Sequence, residues 1–178
     1  ASHTPKKLLL VFPELAFVEE LNGHLDRLTV TSLNLYKKSM RVEICLSSDV
    51  FIPSRIISHM EQSIAAICGV GAVDIHIVYA CDITDSDIPE PYWENVLYCV
   101  HKKCTLAKAF LSGSKPRLDS GKLYVNLCTA GSDVLYSKGC SKLIEKVMRN
   151  QFNRSIRVEF VDPVFGEESE KRYKESKL

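Results

Sequence analysis

The stretch YSKGCSKLIEKVMRNQFN, residues 136–153, decides how the second half of this 178-residue chain is read. A short helical turn runs into Gly139, which breaks it, and a longer helix follows. Leu143, Ile144, Val147, Met148 and Phe152 recur at helical spacing and form one apolar side. Lys142, Lys146, Arg149 and Asn153 recur at intervals of four, three and four residues, so they share the opposite side, and Lys138 extends that stripe from before the break. The quartet Tyr136-Ser137-Lys138-Gly139 is a G-x-x-G pattern with a tyrosine in place of its first glycine.

Around this stretch the second half reads as αα-β-αα-β. Residues 92–104 are helical through Trp93, Val96, Leu97 and Val100. A shorter helix covers residues 106–111 and ends at Ser112-Gly113-Ser114 and Pro116. Residues 122–129 form a strand with Leu123, Val125 and Leu127 on one face, and IRVEFV, residues 156–161, closes the unit as another. The first half reads as αββαβ. Leu15, Val18 and Leu21 make a short helix that Pro13 starts and Gly23 ends. Residues 26–35 and 40–46 alternate in polarity about a turn at Lys37-Lys38-Ser39, an antiparallel hairpin with one buried face. Pro53 opens a helix whose Ile56, Ile57, Met60, Ile64, Ile67 and Cys68 lie on one face, and Gly69 and Gly71 end it. Val73, Ile75, Ile77 and Tyr79 supply a third strand. The fold class expected is α+β, with two small αβ units, the first a three-stranded sheet covered by a helix.

Charge separates the same two units. Residues 1–91 carry 7 Lys and Arg against 12 Asp and Glu, a net of −5, whereas residues 92–162 carry 12 against 6, a net of +6. CDITDSDIPEP, residues 81–91, holds four acidic residues and two prolines and reads as a linker. The expected organisation is a first domain at 1–80, the linker at 81–91, a second domain at 92–162, and a polar helical lead at 163–178.

Composition narrows the function classes. The apolar run at residues 8–12 is too short to span a membrane, and Pro13 and Glu14 follow where a signal peptide would stay apolar. A cytoplasmic protein is expected, and Ala1 in place of methionine fits a processed or excised piece. Seven cysteines, an odd number at irregular spacing among aliphatic neighbours, fit reduced core thiols. Cys99-x-His101-x-x-Cys104 falls in mid-helix with no second ligand pair, so no metal site is expected. Ser120-Gly121-Lys122 lacks the earlier glycine of a phosphate loop, and its lysine starts a strand where that loop needs a helix. The five histidines are scattered, His76 alternates out of a strand, and the acidic clusters of the linker and tail read as solvated charge runs. No catalytic residue, cofactor or small-molecule substrate is expected.

Two resemblances follow from these residues. Two helices meeting at residues 136–139 resemble the centre of a KH domain, whose G-x-x-G loop clamps nucleic-acid backbone. PYWENVLY, KPRLDSGKLYVNL, MRNQF and IRVEFVD, in that order, resemble the N-terminal region of the PolC-type DNA polymerase III alpha subunit of low-GC Gram-positive bacteria. The hairpin, helix and strand of the first half resemble that family's first N-terminal domain, and the tail resembles the lead into its OB domain. The resemblance implies a noncatalytic front end of a DNA-directed DNA polymerase with 3′–5′ exonuclease activity, whose catalytic motifs lie elsewhere. It also implies a KH-like second domain, replisome partners with the clamp-loader tau subunit foremost, and DNA as a further contact. Tyr136, Lys138, Lys142, Lys146 and Arg149 are the expected contact residues. Tyr136 stands where glycine would let the backbone approach a phosphate, so clamping of a single strand is not expected. The alternative is a free-standing KH-like protein that binds RNA or DNA. The net +6 of the second unit favours an anionic partner on either reading.

Overall fold

The computed structural model describes residues 4–80 and 92–164, and these form an α+β structure of two small units. The first begins with β1 (Lys6–Lys7), α1 (Leu8–Val11) and two 3-10 turns, Pro13–Phe17 and Glu19–Leu21. It continues with β2 (Thr29–Tyr36), β3 (Arg41–Ser48), α2 (Ser54–Cys68) and β4 (Ala72–Tyr79). The hairpin β2–β3 is antiparallel, and β4 runs parallel to β3 with Ile44 opposite Ile75 and Leu46 opposite Ile77. Val42, Ile44 and Leu46 of β3 alternate with Arg41, Glu43 and Cys45, so one face is apolar, and Ile56, Ile57, Met60 and Ile64 of α2 are buried with it. Among the described residues the sheet has four strands, in the order β1-β2-β3-β4. Its extra member, β1, is two exposed lysines without apolar alternation, which is why it left no trace in the sequence pattern.

Leu15 and Leu21 fall on the 3-10 turns and Val18 between them, not on an α-helix. Their spacing of three fits the 3-10 period, and the turns are closed by Val18 N–H to the Leu15 carbonyl and Leu21 N–H to the Val18 carbonyl, both at 3.1 Å.

In the second unit α3 (Trp93–Lys103) and α4 (Ala107–Leu111) precede β5 (Lys115–Asp119) and β6 (Lys122–Asn126); α5 (Ser132–Ser137), α6 (Cys140–Phe152) and β7 (Arg157–Val161) follow. The sheet order is β5-β6-β7, antiparallel then parallel. β5 is a strand the αα-β-αα-β reading lacks. It contains Pro116, which suits only an edge strand, and β5 is one. Ser120, at φ 49°, and Gly121 make the two-residue turn between β5 and β6, so the apparent phosphate-loop ending is a hairpin.

Both units therefore share a plan of hairpin, helical crossover and parallel third strand. They also share a device for the edge that the crossover creates. The Ile75 N–H of β4 donates to Glu61 on α2 at 2.8 Å, and the Val158 N–H of β7 donates to Glu145 on α6 at 3.1 Å.

The linker expected at 81–91 and the tail from 165 onward lie outside the described residues. Residues on either side of 81–91 pack together. Tyr79 stacks on Phe152 with ring centroids 5.5 Å apart, and Tyr92 meets both rings edge-on at 5.3 and 5.2 Å. Asn95 of α3 donates to the Ile52 carbonyl at 2.6 Å and to the Tyr79 hydroxyl at 3.0 Å. Tyr98 and Lys102 of α3 both bond the Glu61 carboxylate.

Candidate functional site

The two helices of the opening stretch are held from both ends. At the start of α5, Asp162 accepts the N–H groups of Gly131 at 2.9 Å and Ser132 at 3.0 Å, and the Ser132 hydroxyl as well. These bonds hold the Asp162 carboxyl below the usual carboxylate range, the Ser132 hydroxyl contributing most. Gly131 is fixed by space: a Cβ there would lie 2.1 Å from Cδ1 of Phe110. At the other end Gly139 adopts φ 73°, with open space around a Cβ position, so handedness alone calls for glycine at the break.

Tyr136 does not point out of the break. Its hydroxyl accepts the Phe160 N–H at 2.9 Å, and its ring meets Phe160 edge-on at 5.0 Å. With Glu145 on Val158, two helix side chains thus take N–H groups from the outer edge of β7. The tyrosine in the degraded quartet is a fastening between helix and sheet.

The cations expected to line up are all exposed, but they face two ways. Lys142 and Arg149, about 10.5 Å apart along the axis at helical rise, border a crevice of ≈ 500 Å³ with Ser155, Ile156, Arg157 and Gly121. Lys142 and Tyr136 also border a neighbouring crevice with Lys122, Ser141, Arg157 and Glu159. Lys146 instead reaches a cleft of ≈ 530 Å³ between α6, α3 and the open face of β3 and β4, with Lys102, Lys103, His76 and Asn150. Lys138 lines none of these. Lys142 pairs with Glu145 at 3.3 Å, but with 82% of its side chain exposed that bond is weak. Lys138, Lys146 and Arg149 have no ion-pair partner among the described residues. Arg157 is in the same condition and was missed, because the stripe was sought on one helix. Its signal was the alternation of IRVEFV, which turns Arg157 and Glu159 outward together.

Glu43 and Asp74, the acidic members of the cleft, are already engaged. Arg41 pairs with both, at 3.1 and 3.5 Å, and Lys102 also approaches Asp74 at 3.6 Å. His76 is half-buried there, and burial lowers its pKa.

Cys99, His101 and Cys104 do not converge. Cys99 accepts the Gln151 amide at 3.1 Å, with its thiol pushed up by burial. Cys104 instead neighbours Cys140, whose thiol burial raises to about 11. The His101 Nε2 is buried without a hydrogen-bond partner among the described residues. Among the described residues no three His, Cys, Asp or Glu side chains are grouped to hold a metal ion, and no helix is long and apolar enough to cross a membrane.

Lys142, Arg149 and Arg157 thus lie together beside β7, whereas Lys146 lies in the cleft against β3, β4 and α3. No curated protein and no solved structure matches the chain significantly. A family model described as DNA polymerase III polC-type N-terminus I matches residues 7–66, and one described as DNA polymerase III polC-type N-terminus II matches residues 91–178. The two matches fall on the two units in order, and the chain belongs to the N-terminal region of polC-type DNA polymerase III.

Proposed function

We propose that this region is a noncatalytic docking module of the replicative polymerase, whose cations on α6 and β7 engage an acidic surface of a replisome protein. The clamp-loader tau subunit is the foremost partner on this reading. The polymerase and 3′–5′ exonuclease chemistry belongs to other parts of the parent protein. Domains at 1–80 and 92–162, a linker at 81–91 and a lead into an OB domain complete the picture, in the cytoplasm.

One observation carries the choice of a protein over a nucleic-acid strand. Tyr136 is committed to Phe160, so the break between α5 and α6 has no first glycine whose backbone could come close to a phosphate. Lys138, Lys142, Lys146, Arg149 and Arg157 remain exposed around it. Such rim charges act chiefly on encounter.

The test is surface plasmon resonance of the chain against the tau subunit, with and without Lys142→Glu, Lys146→Glu and Arg149→Glu combined. Association should slow about tenfold at low salt, with little change in dissociation. Unchanged tau binding would refute the docking role. Tight single-strand DNA binding at physiological salt, with a log–log slope falling by about one per removed cation, would assign the same residues to DNA.

A further inference from the structure

The cleft that Lys146 reaches supports an inference that does not depend on docking through Lys142, Arg149 and Arg157. Three walls enclose it: the face of β3 and β4 turned away from α2, the C-terminal half of α3, and one side of α6. Along β4, Val73, Ile75, Ile77 and Tyr79 are buried, whereas Asp74, His76 and Val78 alternate to the other face. Val78 is 46% exposed there. Leu143 and Val147, one turn apart on α6, are partly buried and border the same space. Its volume of ≈ 530 Å³ falls within the range of about 300–1,000 Å³ usual for small-molecule sites.

The charges around this apolar space are not balanced. Arg41 holds Glu43 and Asp74, and Lys102 is shared between Asp74 and Glu61. Lys103 and Lys146 are exposed, border the cleft, and have no ion-pair partner among the described residues. Both stand away from the ends of the segment 81–91. α3 runs antiparallel to β4, because Asn95 meets Tyr79 at 3.0 Å and Lys102 meets Asp74 at 3.6 Å. Ala80 and Tyr92 therefore sit at the Tyr79 end, and at strand rise Asp74 lies about 16 Å from it. Lys103 follows Lys102 at the Asp74 end. Lys146 stands about 9 Å along the axis of α6 from Phe152, which stacks on Tyr79.

We propose that this cleft binds a small organic anion with an apolar body. The body lies among Val78, Leu143 and Val147, and its carboxylate, sulfonate or phosphate group reaches Lys103 and Lys146. Burial of apolar surface supplies most of the affinity, and the two ammonium groups fix the orientation. An extended peptide is the poorer occupant, because the Ile75 N–H on the outer edge of β4 is already taken by Glu61 and cannot pair with an added strand. A ligand seated here touches β4 of the first unit and α3 and α6 of the second, so its binding ties the two units together.

The probe is 8-anilinonaphthalene-1-sulfonate, a sulfonate on an apolar body, titrated against the full chain by fluorescence and placed by amide chemical shifts. Saturable binding is expected, with shifts centred on Val78, Leu143 and Val147. Lys103→Glu with Lys146→Glu, and separately Val78→Asp, should each weaken it about tenfold, roughly 1.4 kcal/mol. Lys142→Glu with Arg149→Glu should leave it unchanged, so the outcome is separate from that of tau docking. The substituted positions are exposed, and near-ultraviolet ellipticity of Trp93 verifies that each variant, and the chain with dye, keeps its packing. The proposal is overturned by no saturable binding, by shifts centred elsewhere, by loss of the Trp93 signal on adding dye, or by equal binding of N-phenyl-1-naphthylamine, which lacks the sulfonate. Tighter dye binding after Asp82→Asn, Asp85→Asn and Asp87→Asn combined would overturn it in favour of the acidic segment of this chain as the occupant.

Discussion

Replacing Glu61 with alanine asks whether the two units share one stability. The carboxylate sits on α2 with 8% of its side chain exposed, accepts the Ile75 N–H at 2.8 Å, and takes Tyr98 and Lys102 from α3. Without it the Ile75 N–H is left unpartnered at a buried position, a loss of about 1–3 kcal/mol. Stranding a buried cation would cost about 3–5 kcal/mol in the worst case. Lys102 escapes most of that, because 27% of its side chain is exposed and Asp74 lies 3.6 Å away. About 3 kcal/mol in all is the expectation for Glu61→Ala. Glu61→Gln, which retains an acceptor for Ile75 and Tyr98, should cost about half as much. Urea unfolding is read by far-UV ellipticity and by the single tryptophan, Trp93, which reports on the second unit. Both probes should shift together, although Glu61 belongs to the first unit. Tyr98 supplies an independent check. Its pKa is raised by burial first and by the bond to Glu61 next, so its ultraviolet titration should move to lower pH in Glu61→Ala. The reasoning fails if alanine and glutamine cost the same, or if the Trp93 transition stays in place while the ellipticity curve moves. The second result would instead fit two units that unfold apart.

Gly131→Ala should lower stability by about 1–3 kcal/mol through overpacking against Phe110, and Phe110→Ala in the same chain should relieve part of that loss in thermal unfolding. Tyr136→Phe removes the acceptor of the Phe160 N–H and should cost about 1–2 kcal/mol, with faster exchange of that amide. Tyr136→Gly removes the ring contact as well, and should cost more without creating a phosphate clamp, which a single-strand DNA titration checks. Burial holds the His76 pKa below its unfolded value, so the unfolded chain takes up that proton first as pH falls. Its contribution is therefore full above about pH 6.5 and declines below it, and His76→Gln should flatten the dependence of the thermal midpoint between about pH 7 and 5.

The elements with a strong period were legible in the sequence. α2 and α6 each carry an apolar face at helical spacing, and β3 and β4 alternate cleanly, so the two αβ units followed directly. β1 and β5 were not legible for opposite reasons. Two lysines have no pattern, and the proline of β5 argues for a break until an edge position makes it acceptable. The exposure of Lys142, Lys146 and Arg149 could be read from the side of α6 opposite its apolar residues. The way these three divide between two crevices could not, since it depends on where β4 and β7 lie. The partner of Tyr136 was likewise hidden, because Phe160 is brought to it by the sheet and not by local spacing.

The glutamate that crosses between the units has a consequence for the order of events during synthesis. β4 leaves the ribosome before α3, and α3 before Phe152, so the first sheet can close while its later neighbours are still untranslated. At that stage Glu61 has only the Ile75 N–H and water, and its charge is still hydrated. Arrival of Tyr98 and Lys102 removes that water and supplies its replacement in one step. The Tyr79 ring waits longer still, since Phe152 closes over it only when α6 is complete. A nascent chain that has emerged only as far as the end of β4 should therefore display a wet, half-finished seam along that strand, the surface on which a chaperone would find it.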